Sequence, residues 1–105
     1  MISTAFTEAF GVTVPVMQGG MQWIGKAELA AAISNAGGVG CITALTHPTA
    51  AELAEAIRRC QELTDRPFPV NPTTLPSINP PPYDEYRRVI IDGEVPVVET
   101  SGSNP

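Results

Sequence analysis

Short apolar runs alternate with helix-like patterns along this chain of 105 residues. The first run, residues 14–18, ends at a pair of glycines, and the second, residues 39–45, is almost continuously apolar. The third run is residues 68–71 and the fourth is residues 95–100. Continuous apolar runs are typical of strands that are covered on both faces. We therefore predict four buried strands, one in each run.

The interval between the first and second runs has the periodicity of a helix. Apolar residues recur with the spacing i, i+3, i+4, i+7, which predicts a helix over residues 26–36 with one buried face. That face consists of Leu29, Ala32, Ile33 and Ala36. The pair Gly37-Gly38 predicts the end of the helix, because glycine is favoured at a left-handed helix terminus.

Two more helices are predicted, one after each of the next two runs. Thr49 and Glu52 have the spacing of a capping box, so a helix should begin there and continue to Leu63. Its predicted inward residues are Leu53, Ile57 and Cys60, and its predicted i, i+4 ion pair joins Glu55 to Arg59. A proline-rich loop at residues 72–82, extended at its three consecutive prolines, leads to a helix over residues 83–91. The predicted inward residues of that last helix are Tyr86, Val89 and Ile90.

The order of strands and helices predicts an α/β fold with a parallel sheet. The four runs begin 25, 29 and 27 residues apart, whereas a complete (β/α)₈ barrel uses about 31 residues per unit. We therefore predict that residues 1–105 are the N-terminal half of a TIM (β/α)₈ barrel, with about four βα units and the last helix missing. The alternative is a doubly wound sheet, which needs a glycine-rich turn after the first strand and an acidic residue after the second. Here the glycine-rich segment 37–40 precedes a strand and the second run ends without an acid, so we prefer the barrel.

Charge and composition exclude several classes of protein. The chain has 6 Lys and Arg against 11 Asp and Glu, a formal charge of −5, which excludes a binder of the nucleic-acid backbone. It has neither a long apolar span nor a basic, apolar leader, so we expect a cytoplasmic protein without membrane contact. Cys41 and Cys60 are predicted to be reduced, packed thiols, and His47 a solvated surface residue. With one histidine and two separated cysteines, no metal site is predicted.

Unusual residues follow the predicted strands at their carboxyl ends, where barrel enzymes place their active sites. Residues 18–23 (QGGMQW) follow the first strand, Asn71 ends the third, and residues 99–102 (ETSG) end the fourth. Two glycines allow the main chain to approach a flat ligand closely. An Asn amide can donate and accept toward the edge of a heterocycle. These residues predict a ligand site without specifying the ligand.

Four segments together resemble the nitronate monooxygenases, formerly called 2-nitropropane dioxygenases. They are residues 18–23, residues 30–38 (AAAISNAGG), residues 63–71 (LTDRPFPVN) and residues 97–100 (VVET). The resemblance implies an FMN-dependent (β/α)₈ barrel that oxidises alkyl nitronates or nitroalkanes with molecular oxygen. The small-molecule partners would thus be a nitronate or nitroalkane and oxygen.

The resemblance also implies roles for single residues. Gly20, Met21 and Gln22 match the segment along the isoalloxazine ring, and Asn71 matches the asparagine at its pyrimidine side. The catalytic histidine of the family lies in a later segment, so no catalytic residue is expected before residue 105, and His47 is not its equivalent. Pro69 and Pro72 stand where relatives usually have glycine and leucine, and a central parallel strand rarely tolerates such prolines.

Two other functions are compatible with these residues. The first is an NADH:quinone reductase on the same FMN barrel. The second, of another class, is a non-catalytic half-barrel module that self-associates through open barrel edges, because unpaired strand edges and uncovered apolar faces favour association.

Overall fold

The computed structural model describes residues 2–74 and 82–102. The helices are α1 (Ala5–Phe10), α2 (Ala27–Asn35), α3 (Ala50–Leu63) and α4 (Tyr83–Asp92). The strands are β1 (Ile42–Thr43), β2 (Val70–Asn71), β3 (Thr73–Thr74) and β4 (Ser101–Gly102). Residues 75–81, which make up most of the predicted proline-rich loop, lie outside the described residues.

The four apolar runs pair side by side, in parallel and in chain order. Met17 pairs with Val39, Ile42 with Val70, and Val70 with Val98. The third run therefore lies between the second and the fourth. A doubly wound sheet would instead reverse direction next to its first strand, so this pairing favours the predicted barrel arrangement.

The strands are shorter than the apolar runs that predict them. In the first run only the bridge at Met17 pairs with a neighbour, and β2 has two residues between Pro69 and Pro72. Pro69 has no N–H, yet its carbonyl accepts from the Ile42 N–H at 3.1 Å. The two prolines limit the length of β2 because each removes one main-chain donor. Thr73 and Thr74, predicted as loop, pair with Ser101 and Gly102.

Helix α3 confirms the sequence prediction in its start and its buried face. Thr49 and Glu52 form the reciprocal capping box, and Leu53, Ile57 and Cys60 are buried. The predicted ion pair is wrong, since Arg58 contacts Glu55 and Glu62. Arg59 instead reaches across to Glu28 of α2 at 3.5 Å.

The predicted buried face of α2 is wrong for two of its four residues, while Leu29 and Ile33 are half-buried. Ala32 and Ala36 are exposed, while the face that packs on the sheet carries only small side chains. It consists of Ala27, Ala30, Ala31 and Ser34. The reason is close approach, because a Cβ atom on Gly40 would overlap the main chain of Ala30. Only small side chains allow a helix to lie so near a strand.

Helix α4 buries Tyr86 and Ile90 as predicted, while Val89 is half-buried against the same core. The Tyr86 hydroxyl donates to the His47 carbonyl at 2.6 Å. Helix α1, which the hydrophobic pattern does not predict, begins at a Thr4 cap. Among the described residues, no helix is long and apolar enough to cross a bilayer.

Candidate functional site

The central strands present two chemically different faces, because side chains alternate along a strand. One face packs against the helices and is apolar, with Ile42 and Val70 fully buried. The opposite face carries Cys41, Thr43, Asn71 and Glu99. Any site on the strands must therefore be built on this second, polar face.

Hydrogen bonds that involve side chains hold the turn after the first run against the second run. Gln18 donates to the Cys41 carbonyl at 3.0 Å and accepts from the Cys41 N–H at 3.1 Å. The Met21 N–H donates to Thr43 Oγ1 at 2.7 Å. These bonds replace strand pairing where the first run leaves the sheet, and they fix the turn that contains Gly20.

One carboxylate oxygen connects the ends of all four runs. Glu99 Oε2 accepts from the Gly20 N–H at 3.2 Å and from Asn71 Nδ2 at 2.9 Å. The Cys41 thiol lies 3.5 Å from the same oxygen as a donor. Gly20 comes from the turn after the first run and the other three residues from the second, third and fourth runs, and we call these four residues the strand-end cluster.

Asn71 is held at both ends of its amide and is 2% exposed. Besides Glu99, its Nδ2 lies 3.4 Å from Ser101 Oγ. Its Oδ1 accepts from Thr73 Oγ1 at 2.8 Å. The amide therefore keeps only part of its hydrogen-bonding capacity for a ligand.

Position 20 must be a glycine because the Asn71 side chain occupies the space beside it. A Cβ atom on Gly20 would lie 2.7 Å from Asn71 Cγ and 2.8 Å from Asn71 Oδ1. On Gly19, the nearest atom would be Glu99 Oε1 at 3.9 Å. The structure thus brings together Gly20 and Asn71, two of the four predicted cofactor residues, and the space beside Gly20 is filled by the Asn71 side chain.

Met21 and Gln22, the other two predicted residues, lie on an exposed loop beside the cluster. Trp23 follows with a positive φ of 71°, and its N–H donates to Thr46 Oγ1 at 2.8 Å. Such a conformation is uncommon for a bulky residue, so the loop is held in place by its anchors. It presents Met21 and Trp23, with 39% and 66% of their surfaces exposed, beside the strand ends.

The titrating groups of the site limit its chemistry. Burial, together with the neighbouring Glu99 carboxylate, raises the pKa of Cys41 to about 12. Because the thiolate is the reactive form, Cys41 acts as a packed donor and not as a nucleophile. This agrees with the predicted packed thiol, and Cys60 is buried in the same way.

His47 lies outside the strand-end cluster. It is half-buried, in contrast to the predicted solvated position, and its Nδ1 lies 3.2 Å from the Thr43 carbonyl. Burial lowers the pKa of its imidazole. Within residues 2–74 and 82–102, no group of three or more His, Cys, Asp or Glu side chains could hold a metal ion.

Part of this face is open to a planar heterocycle. The main chain at Gly19 has room beside it and Met21 is 39% exposed, whereas the Asn71 side chain is 2% exposed. Among the described residues, Gly19 and Met21 are therefore open to a flavin ring, and the Asn71 amide would meet such a ring only by exchanging one of its present partners.

The sequence placed Glu99 only at the end of the fourth strand and predicted no hydrogen-bond partner for it. A signal was present, because each run carries a polar residue at or near its carboxyl end. These residues are Gln18, Thr43, Asn71 and Glu99. That Glu99 reaches three other strand ends follows only from the parallel register.

Curated relatives match this chain over about two thirds of its length. An indene-carboxyl-CoA dehydrogenase from Rhodococcus jostii, named in full (3aS,4S,5R,7aS)-5-hydroxy-7a-methyl-1-oxo-octahydro-1H-indene-4-carboxyl-CoA dehydrogenase, is 46% identical over 70 residues. That match covers 67% of this chain and 20% of the relative. A nitronate monooxygenase from Pseudomonas aeruginosa is 44% identical over 66 residues, covering 63% of this chain and 18% of the relative.

Solved structures match the whole fold. FabK from Thermotoga maritima superimposes with a TM-score of 0.87 at 35% identity, covering 100% of this chain and 32% of that one. A nitroalkane oxidase from Streptomyces ansochromogenes gives a TM-score of 0.77 at 27% identity, covering 92% of this chain and 36% of that one. The chain therefore spans about a third of these structures, and the expected α/β fold with parallel strands of the TIM-barrel type is confirmed.

Residues 3–104 match the profile of the family described as nitronate monooxygenase. The match covers nearly the whole chain and includes the strand-end cluster and the loop beside it. On this evidence, the chain belongs to the nitronate monooxygenase family.

Proposed function

We propose that the protein containing this chain is an FMN-dependent monooxygenase that oxidises alkyl nitronates with molecular oxygen. The observation that carries the proposal is the meeting of the Gly20 turn and the Asn71 amide at the strand ends of a chain from this family. Members of the family typically depend on FMN. The site residues remain those predicted from the sequence, namely Gly20, Met21, Gln22 and Asn71.

When bound, FMN would supply the electron-transfer chemistry, while the protein supplies position and electrostatics. The main chain at Gly19 and Gly20 would lie along the ring, since neither residue carries a side chain there. The Asn71 amide would donate a hydrogen bond to the edge of the ring. A hydrogen-bond donor that is already fixed in place stabilises negative charge well, because it does not have to reorient when the charge forms. Met21 and Gln22 would line the approach to the ring.

A second candidate is the dehydrogenation of a carboxyl-CoA thioester. It is favoured by the dehydrogenases from Rhodococcus jostii and Mycobacterium tuberculosis, which are 46% and 44% identical to this chain over 70 residues. Quinone reduction by NADH, considered from the sequence, serves as a third comparison in the test. His47 is half-buried and lies outside the cluster, so the general base of these reactions is not assigned to it.

The test uses the complete protein that contains this chain. After purification, the visible spectrum and the released cofactor establish whether FMN is bound. Oxygen consumption is then measured with propyl-2-nitronate. Anaerobic bleaching of the flavin is measured with a carboxyl-CoA thioester and, separately, with NADH, and the NADH-reduced flavin is then tested for reoxidation by a quinone. We expect oxygen uptake with the nitronate. A yellow protein that responds only to the thioester or the quinone would replace the proposed reaction, and a colourless protein would support the non-catalytic assembly module.

A further inference from the structure

Glu99 determines the orientation of the Asn71 amide. A carboxylate only accepts hydrogen bonds, so the amide nitrogen, and not the oxygen, must face Glu99 Oε2 at 2.9 Å. The opposite end of the amide accepts from Thr73 Oγ1 at 2.8 Å. Without the carboxylate, a rotation of the amide by half a turn would exchange its oxygen and nitrogen.

The orientation determines which hydrogen of the amide a ligand would take. One hydrogen of Nδ2 goes to Glu99, and the other points toward Ser101 Oγ at the long distance of 3.4 Å. A ring acceptor would replace Ser101 as the partner of that second hydrogen. A donor at this place stabilises the negative charge that reduction puts on a flavin, whereas a carbonyl oxygen would oppose it.

We propose that Glu99 is a positioning residue, which acts through Asn71 by fixing the amide with its N–H toward the flavin. The inference rests on the proposed function, because it assigns Asn71 to the edge of an FMN ring. Glu99 also accepts from the Gly20 N–H at 3.2 Å and from the Cys41 thiol at 3.5 Å. The carboxylate therefore positions the Gly20 turn at the same time as the amide.

Two variants of Glu99 distinguish the effect of holding the Asn71 amide in place from the effect of the negative charge. All three donors converge on one oxygen of Glu99, so in Glu99→Gln the amide oxygen can still accept from Asn71 Nδ2 while the negative charge is lost. In Glu99→Met the side chain keeps a similar length but loses its strong hydrogen-bond acceptor. Glu85→Gln, which changes an exposed carboxylate in the first turn of α4, controls for the loss of a surface charge.

The first measurement is made on the flavin-free protein. Exchange of the Asn71 side-chain amide protons with water is followed by ¹⁵N NMR, and the signal is assigned by its loss in Asn71→Ala. We expect Glu99→Met to accelerate the exchange about tenfold or more, as for a lost hydrogen bond to a charged group. Glu99→Gln and Glu85→Gln should leave the rate near the wild-type rate. Unchanged exchange in a folded Glu99→Met protein would overturn the proposal whether or not the protein binds flavin.

The second measurement is the midpoint potential of the bound flavin. We expect Glu99→Met to have a lower potential than Glu99→Gln, and the difference to vanish when both changes are made in the Asn71→Ala protein. Such non-additivity is the signature of two residues that act together. A difference that persists without Asn71 would overturn the positioning role. If Glu99→Met does not fold, a Glu99→Gln protein whose Asn71 amide exchanges faster than in the wild type would overturn it as well.

A wild-type protein without flavin would refute the proposed function, and the amide-exchange measurement would still decide whether Glu99 orients Asn71. If flavin binds and amide exchange responds while the two Glu99 variants share one potential, the positioning role toward the flavin is refuted and the proposed function is retained. The two failures are therefore distinguishable.

Discussion

A Cβ atom on Gly20 would lie 2.7 Å from Cγ of Asn71, closer than such carbons approach in folded proteins. Gly20 thus serves first to admit the Asn71 side chain, which has its own partners in Glu99 and Thr73. A substitution at Gly20 would act on a flavin through the displacement of Asn71. This relationship changes how a variant at Gly20 is interpreted.

Gly20→Ala is expected to destabilise the protein and to weaken flavin binding. Overpacking of a close contact costs about 1–3 kcal/mol, and the effect should be smaller when Asn71→Ala has already removed the two nearest atoms. Urea unfolding and FMN titration of the single and double variants measure both effects. For the unfolding measurement, Gly19→Ala is the matched control, since the atom nearest to its Cβ would lie at 3.9 Å. Equal destabilisation at the two glycines would show that the contact with Asn71 is unimportant.

Asn71→Ala is expected to make the bound flavin harder to reduce. A hydrogen bond to a charged group contributes about 1.5–3 kcal/mol, which corresponds to a fall of about 30–60 mV for a two-electron couple. The potential is measured by spectroscopic titration of the complete protein. Asn35→Ala provides a matched amide control, because the Asn35 amide donates to the Leu63 carbonyl away from the strand ends. An unchanged potential would make Asn71 a purely structural residue.

The Cys41 thiol is expected to make folding sensitive to alkaline pH. Burial and Glu99 raise its pKa from 9.0 to about 12, so the folded protein keeps a proton that the unfolded chain releases above pH 9. The stabilisation is fully present below pH 9 and is lost as the pH rises toward 12. The urea midpoint should therefore fall over this interval more steeply in the wild type than in Cys41→Ala. Parallel curves for the two proteins would contradict the predicted contribution.

A polypeptide of these 105 residues is expected to self-associate. An apolar groove of about 230 Å³ lies between α4 and the fourth run, and at its rim Ile91 and Val98 are 73% and 47% exposed. Association would remove this apolar surface from water. Gel filtration with light scattering should show a species larger than 11.1 kDa, reduced in Val98→Thr, with Thr13→Ser as a control at another exposed position. A stable monomer at micromolar concentration would contradict the expectation.

The uncovered residues differ from those expected from the sequence. For an isolated half-barrel, the sequence predicts that Val16, Ile42, Val70 and Val97 face inward and meet water, but Ile42 and Val70 are fully buried against the helices. Val16 is 58% exposed, in agreement with that expectation. The alternation along a strand identifies two faces, and the sequence does not state which face the helices cover.

The local pattern of the sequence was sufficient where neighbouring residues decide the structure. The Thr49 cap with its Glu52 partner and the face of Leu53, Ile57 and Cys60 were predicted correctly, because capping and helical periodicity act within a few residues. The family and the parallel α/β fold also followed from motifs in the chain. The predicted face of α2 was partly wrong, because the close contact between Ala30 and Gly40 favours small residues there and leaves Leu29 and Ile33 only half-buried.

The candidate site was decided by tertiary structure. The four residues of the strand-end cluster are 21, 30 and 28 positions apart in the sequence; they are Gly20, Cys41, Asn71 and Glu99. Their residue types alone do not specify which of them are in contact. The parallel register of the four runs places their polar ends side by side, and Glu99 Oε2 then receives three donors that the chain presents from three other strands. The sequence by itself determined which residues stand at the strand ends, because that information is local. Only the parallel register of the runs, with the helices packed on the opposite face, determined that these ends meet in one cluster.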